Sequence, residues 1–259
     1  MAAPGRENEA FMELTNLYLI RHGEAHVNVN PGGPIGGMKG DVGLTDLGRK
    51  QAERLRDRLA ASGEIQADAF ISSTLPRARQ TAEIIQPAIG LDIAWDDDVQ
   101  EMSVGDVDGE RWDDVVKEHG LPDFRREPFR PFAPGGENWP QFILRVATTL
   151  DRIAREHDGK TVVIVTHGGV IDGAFLAFFN IGAISQLPNV ELYTHNTSIS
   201  QWQRYVTESG YPRWRLARYN DDLHVRDIVV DERFRWRKLY EGVDTPAVPL
   251  PTETEDDDR

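Results

Sequence analysis

The 259-residue chain contains no cysteine. Disulfides, thiolate nucleophiles and Cys-ligated zinc or iron–sulfur sites are therefore excluded. A chain without disulfides suits a reducing compartment, and a cytoplasmic protein is the expectation. Long apolar runs are missing too. The richest patch, around Phe175 to Phe179, falls well short of the roughly 18 apolar residues of a membrane span. The N-terminal stretch lacks a basic start followed by an apolar run, so no secretory signal is expected. Positive charge is scarce: 29 Lys and Arg stand against 43 Asp and Glu, a formal net charge of −14. The tail 252–259, TETEDDDR, carries part of that excess. A surface this acidic argues against nucleic acid and membranes as partners. It leaves room for a small anionic substrate in a local basic pocket.

Apolar residues make up 39% of the chain, enough for one large α/β domain. Residues 1–15 are polar and unpatterned and read as a flexible leader. A buried strand is expected at 17–21, LYLIR, followed by a Gly- and Pro-rich loop over 28–43. That loop lacks the G-K-[ST] ending of a P-loop, so it reads as a surface loop or lid. Thr45 can cap a helix that Gly63 ends. A short strand at 69–71 leads to a helix over 76–86, with Pro76 in its first turn and Pro87 closing it. A weak strand at 91–95 and an acidic loop over 96–109 follow. Next come a short helix at 112–119, a Pro- and Arg-rich insertion over 121–136 and a long amphipathic helix over 138–157. Residues 161–166, TVVIVT, read as a fully buried strand running into an apolar helix to about Asn180. Later strands are expected at 191–194, 198–206 and 214–218, and a short helix at 234–240. The domain is placed at 16–224, with a C-terminal extension at 225–245 and a disordered acidic tail at 246–259. Strands alternating with amphipathic helices predict an α/β fold. It should be a three-layer αβα sandwich, with a mostly parallel central sheet and helices on both faces.

Two of the buried strands end alike, in Arg21-His22-Gly23 and in His167-Gly168-Gly169. In a parallel sheet such ends lie at one edge, where ligands bind. One histidine after one strand carries little by itself. Here a second histidine joins it, with Arg77 in the first turn of a helix after Ser72-Ser73 and Glu101 in a later loop. Guanidinium forks match phosphate oxygens in pairs, and helix N-termini add donors and positive potential. The set reads as an anion site.

These residues carry a resemblance to the histidine phosphatase superfamily, the phosphoglycerate-mutase-like proteins. RHGEAHVN resembles the family's RHGE-x-x-x-N. GLTDLGRKQA (43–52) is similar to LT-x-x-G-x-x-QA, and SSTLPRARQTA (72–82) to SS-x-x-x-RA-x-QTA. EMSVGDVDG (101–109) resembles E-x-x-x-G-x-x-x-G, and PGGEN (134–138) the family's GGES. VVIVTHGG (162–169) resembles its second-histidine strand, and HNTSISQW and RYNDDLH its last strands. The segments run in order from about Leu17 to His224. The resemblance implies phosphoryl transfer through a phosphohistidine, with His22 as nucleophile. It further implies Arg21, Asn28, Arg77 and His167 around the phosphate, and Glu101 as general acid and then base. A histidine acid phosphatase-type phosphomonoesterase, a hydrolase without cofactor or metal, is the expectation. The alternatives are a phosphoglycerate mutase or a non-catalytic phosphate-binding module. The mutases carry a longer, more basic stretch after the acid, ending in G-L-N-K. EMSVGDVDGERWDD is acidic and lacks it, which favours a phosphatase. The expected partner is a small phosphorylated substrate, and a homodimer is compatible with the pattern.

Other readings compete for some of these residues. His22 and His26 are four apart, a metal spacing, but they lie in a loop without H-E-x-x-H, so no metal is expected. Asp106 and Asp108 rival Glu101, and only the family pattern favours Glu101. Glu24 and Glu137 either orient catalytic groups or cap the surface. His195 and His224 read as structural, and His119 and His157 as helix-end residues. Arg125, Arg126 and Arg130 read as a solvated face rather than a second anion site.

Overall fold

A computed structural model describes residues 14–30, 32–120, 122–181 and 192–228. Within them lie strands β1 (Thr15–Arg21), β2 (Ala69–Ser72), β3 (Ile93–Trp95), β4 (Thr161–Thr166), β5 (Ile199–Val206) and β6 (Pro212–Asp221). The helices are α1 (His26–Val29), α2 (Asp46–Ser62), α3 (Pro76–Ile89), α4 (Trp112–His119), α5 (Trp139–Glu156) and α6 (Gly168–Phe178). The strands form one sheet in the order β3-β2-β4-β1-β5-β6. β1, β2, β3 and β4 run parallel; β5 runs against β1, and β6 against β5.

Strand alternation explains the three layers. Leu17 and Leu19 of β1, with Val162 and Ile164 of β4, point to one face. There they meet Val146, Leu150 and Ile153 of α5 and Ile171 and Phe175 of α6. Tyr18, Ile20, Val163 and Val165 point to the other, against Leu55 and Leu59 of α2 and Ala82 and Ile85 of α3. Both faces of the central strands are therefore covered, as parallel sheets require. A third, smaller cluster joins Ile35, Val107, Val115 and Ala133. It anchors the Gly-rich loop, as does Asp108, whose carboxylate accepts the N–H groups of Lys39 (2.9 Å) and Gly40 (3.1 Å).

Several local expectations need correction. The first strand starts at Thr15, whose side chain is buried. Pro87 does not close its helix; it lies inside α3, which runs on to Ile89 and ends at left-handed Gly90. Proline removes one N–H, and both Pro87 and Glu83, whose carbonyl loses that partner, are exposed to water. Residues 192–194 form no strand. Side chains take their backbone groups instead: Tyr219 Oη and Asn220 Nδ2 both donate to the Tyr193 carbonyl. The long helix α5 matches its expected span, with Asn138 and Gln141 forming a reciprocal capping box. Just past His224, Val225 is fully buried and Arg54 pairs with Asp227 at 3.1 Å. The helix expected at 234–240 and the tail at 246–259 lie outside the described residues, as does most of the leader. Among the described residues no helix is long and apolar enough to cross a membrane.

Candidate active site

Register places the two histidines together. Arg21 of β1 pairs with Thr166 of β4, so the next residue on each strand is His22 and His167. Their rings lie 5.1 Å apart, centroid to centroid. β2 lies on the other side of β4, and its continuation brings Ser73 Oγ to 2.8 Å from His167 Nε2. α3 starts just beyond, which carries Arg77 to His22: Arg77 Nε donates to His22 Nε2 at 3.2 Å. Strand order alone therefore sets Arg77, His167 and His22 side by side.

Arg77 fixes the tautomer of His22. A guanidinium has donors only, so Nε2 must accept. In the neutral ring the proton then sits on Nδ1, which donates to the Gly23 carbonyl at 2.7 Å. His22 and His167 are both buried, 2% and 0% exposed. Burial pushes the proton affinity of each well below the usual imidazole range. The charges of Arg77 and Arg21 push the same way for both, and for His167 so do His22 and Arg145. Both rings are neutral near pH 7, and Nε2 of His22 carries a lone pair.

Arg77 is itself held by an acid that the sequence did not single out. Asp41 Oδ2 accepts from Arg77 Nη1 at 2.9 Å and from the Arg77 backbone N–H at 3.1 Å. Both side chains are buried, 4% and 0% exposed. Asp41 closes the Gly-rich loop, and nothing in the surrounding PGGPIGGMKGD marks it. Asn196 lies in the family-like HNTSISQW segment but carries no assigned role there; its Nδ2 donates to the His22 carbonyl at 2.9 Å. Arg21 ends β1 and donates through Nη1 to the Thr194 carbonyl.

Glu101 comes to the same edge by another route. Its Oε2 accepts the N–H of Gly169, two residues past His167, at 3.1 Å, and its Oε1 that of Met102 at 3.0 Å. A Cβ on Gly169 would overlap Oε1, so glycine leaves the room in which this carboxylate sits. Asp106 instead lies near Gly135, and Asp108 caps the Gly-rich loop. A further carboxyl, Asp172 of α6, was not anticipated. Burial, then the charge of Glu101, pushes it up to about 7. Asn28 lies on α1, and among the described residues its side chain bonds to none of the other predicted site residues. Its Oδ1 is buried without a partner there.

Several other candidates bond to neighbouring elements rather than to His22 or Arg77 side chains. Glu24 accepts from Thr45 Oγ1 at 2.8 Å, and its N–H donates to Gln51 Oε1, tying the end of β1 to α2. A Cβ on Gly23 would stand 2.5 Å from the Gly48 carbonyl oxygen. The glycines of RHGE and GLTDLGRKQA thus serve one backbone crossing. His195 pairs with Asp222 at 2.5 Å, and His224 Nε2 lies 3.0 Å from Thr197 Oγ1. Arg126 pairs with Asp123, and Arg130 with Glu127, on the surface. No group of three His, Asp or Glu side chains suited to a metal occurs among the described residues.

A buried pair of neutral histidines flanked by two arginines, at the carboxyl edge of a doubly covered sheet, has the chemistry suited to a compact anion. Residues 17–222 match the model of the histidine phosphatase superfamily (branch 1), and the chain belongs to that superfamily. It is 31% identical over 228 residues to a probable phosphoglycerate mutase of Salmonella paratyphi C, covering 85% of this chain and 99% of that one. It is 29% identical over 198 residues to a metal-independent phosphoserine phosphatase of Arabidopsis thaliana, covering 73% and 79%. Among solved structures, YhfR of Bacillus stearothermophilus superposes with a TM-score of 0.64 at 30% identity, covering 82% of this chain and 99% of that one.

Proposed function

We propose that this protein is a phosphomonoesterase that works through a phosphohistidine on His22 and needs no cofactor. The observation that carries the reading is the Arg77 Nε to His22 Nε2 bond. It leaves a neutral imidazole with its lone pair on the nitrogen facing the cationic pocket. A phosphomonoester entering there would take over the guanidinium donors of Arg77 and Arg21. His167 Nδ1, buried and without a partner among the described residues, can donate to a phosphate oxygen, and the family pattern adds the Asn28 Nδ2 amide as a second donor.

The reaction then has two halves. His22 Nε2 attacks phosphorus, the P–O bond to the leaving group breaks, and the alkoxide takes a proton from the Glu101 carboxyl. Water next attacks the phosphohistidine and passes its proton to the Glu101 carboxylate. Inorganic phosphate leaves, and His22 is neutral again. The arginines balance charge on the equatorial oxygens throughout, which is most of what phosphoryl transfer requires.

The test is phosphate release from p-nitrophenyl phosphate and from a panel of phosphoserine, phosphoglycerates, sugar phosphates and nucleotides. His22→Ala should lose at least about 10³-fold in turnover, and the wild type should trap an acid-labile phosphohistidine. Undiminished turnover in His22→Ala would sink the reading. A mutase is the second reading, favoured by the Salmonella relative's name and its coverage. Conversion of 3-phosphoglycerate into its 2-isomer, without phosphate release, would establish it. The acidic stretch after Glu101 supports hydrolysis.

A further inference from the structure

Glu101 stands between two 3-10 turns, Asp97–Val99 and Gly105–Val107, with no strand or helix adjoining it. A carboxyl on such a loop keeps its place only if something outside the loop holds it. One side chain does most of that. Arg145, mid-way along α5, has five N–H groups, and each has an acceptor. Nη1 donates to the carbonyls of Asp98 (2.7 Å) and Gln100 (3.0 Å). Nη2 donates to the carbonyl of Glu101 itself (3.2 Å) and to Glu137 Oε2 (2.7 Å). Nε donates to Glu137 Oε1 (2.7 Å), completing a two-bond fork. The Phe142 ring lies under the guanidinium at 5.2 Å.

Glu137 holds the other side of the acid. Its Oε2 accepts the Ser103 N–H at 2.8 Å, and its own N–H donates to the Ser103 carbonyl at 3.0 Å. Backbone before and after Glu101 is thus gripped by one ion pair, whose side chains are 21% and 18% exposed. None of these contacts involves His22 or Arg77. A lysine could supply only three donors from a single point and could not reproduce the fork.

We propose that Arg145 and Glu137 form a clamp that positions the Glu101 carboxyl for proton transfer, so that both are positioning residues for the leaving-group step. This role rests on the reading of Glu101 as general acid. It makes a demand that mere support of the fold does not. Loss of the clamp should matter when the leaving group needs a proton and hardly at all when it does not.

The experiment compares L-phosphoserine, whose alkoxide must be protonated, with p-nitrophenyl phosphate, which leaves as a stable phenolate. Single-turnover phosphorylation of His22 is followed by rapid quench in the full chain and in Arg145→Lys, Arg145→Ala and Glu137→Gln. Misplacing a catalytic group by about 1 Å costs on the order of 100-fold. The Arg145 variants should therefore phosphorylate about 100-fold more slowly from phosphoserine. KM should change little, and the p-nitrophenolate burst should stay within about threefold. Glu137→Gln should fall between. Combining Arg145→Ala with Glu101→Gln should cost no more than Glu101→Gln alone, because the clamp acts through that carboxyl. Equal slowing with both substrates, or additive losses in the double variant, overturns the clamp. If Arg145→Ala unfolds, Arg145→Lys and Glu137→Gln carry the same comparison. A Glu101→Gln variant that keeps full phosphoserine turnover overturns the acid assignment first, and the clamp's role with it.

Discussion

His22 stands at the end of a strand buried on both faces, whereas Glu101 stands in a loop between two short turns. The first is placed by register: β1 pairs with β4, and two histidines emerge side by side. The second is placed by side chains reaching in from α5 and by an amide at the start of α6. Regular structure fixes a residue through many small contacts, each shared with the core. A loop residue depends on a few strong bonds, and losing one releases it. The nucleophile half of the site should therefore fail together with the fold, and the acid half should fail without it.

Asp41→Ala should break that comparison hardest, because it couples both kinds of failure. It leaves the Arg77 guanidinium buried without its partner, a change that costs about 3–5 kcal/mol. Urea unfolding should show the loss, phosphatase activity should fall with it, and added inorganic phosphate should restore part of the stability. An Asp41→Ala protein as stable as wild type would mean that the pair does not hold the cradle.

Gly169→Ala should sharpen the contrast from the other side. The added methyl overlaps Glu101 Oε1 and approaches the Phe142 ring at 3.1 Å. Turnover of alkyl phosphates should drop by about 100-fold. His22 should still be phosphorylated by p-nitrophenyl phosphate at a rate close to wild type. Equal losses with both substrates would show that the two halves are not separable.

Acidification should give the smallest effect. His22, His167 and His224 are held neutral, the last with its pKa lowered to about 4, chiefly by burial and then by Arg58. Their folded-state affinities lie below the unfolded value of about 6.5, so the unfolded chain takes up protons first. Their contribution is fully present above pH 6.5 and declines as pH falls toward 4. Asp172, pushed up to about 7, works in the opposite direction, since protonation relieves its buried charge. The three histidines, joined at the acid end by Glu64, Asp221 and Asp222, whose pKa values are held down and which also lose stability on protonation, outweigh Asp172 and predict a net fall in the urea midpoint between pH 6.5 and 4. His224→Gln should flatten that slope, and an unchanged slope would remove His224 from the account.

Much of this was legible before any fold was seen. The helix spans of α2, α4 and α5, the strand β4 and the His-Gly ends of β1 and β4 follow from apolar periodicity and capping chemistry. Those signals are local, each complete within one or two turns or a single strand. Pro87 misled for the same reason: the rule that proline stops a helix is local, and here the orphaned carbonyl simply faces water. Residues 192–194 have a strand-like pattern but form no strand, because side chains from β6 take the Tyr193 carbonyl.

The sequence by itself determined the layered α/β design and marked His22, His167, Arg77 and Glu101, which the structure brings to one sheet edge. Only the tertiary structure decided what holds them. Asp41 reaches Arg77 across 36 positions, Arg145 reaches Glu101 across 44, and Asn196 reaches His22 across 174. No periodicity reports a partner at such separations, because the pairing depends on which strands lie side by side. The physical reason is that burial is written in local pattern. A hydrogen bond between distant side chains exists only once the strand order β2-β4-β1 has closed the distance.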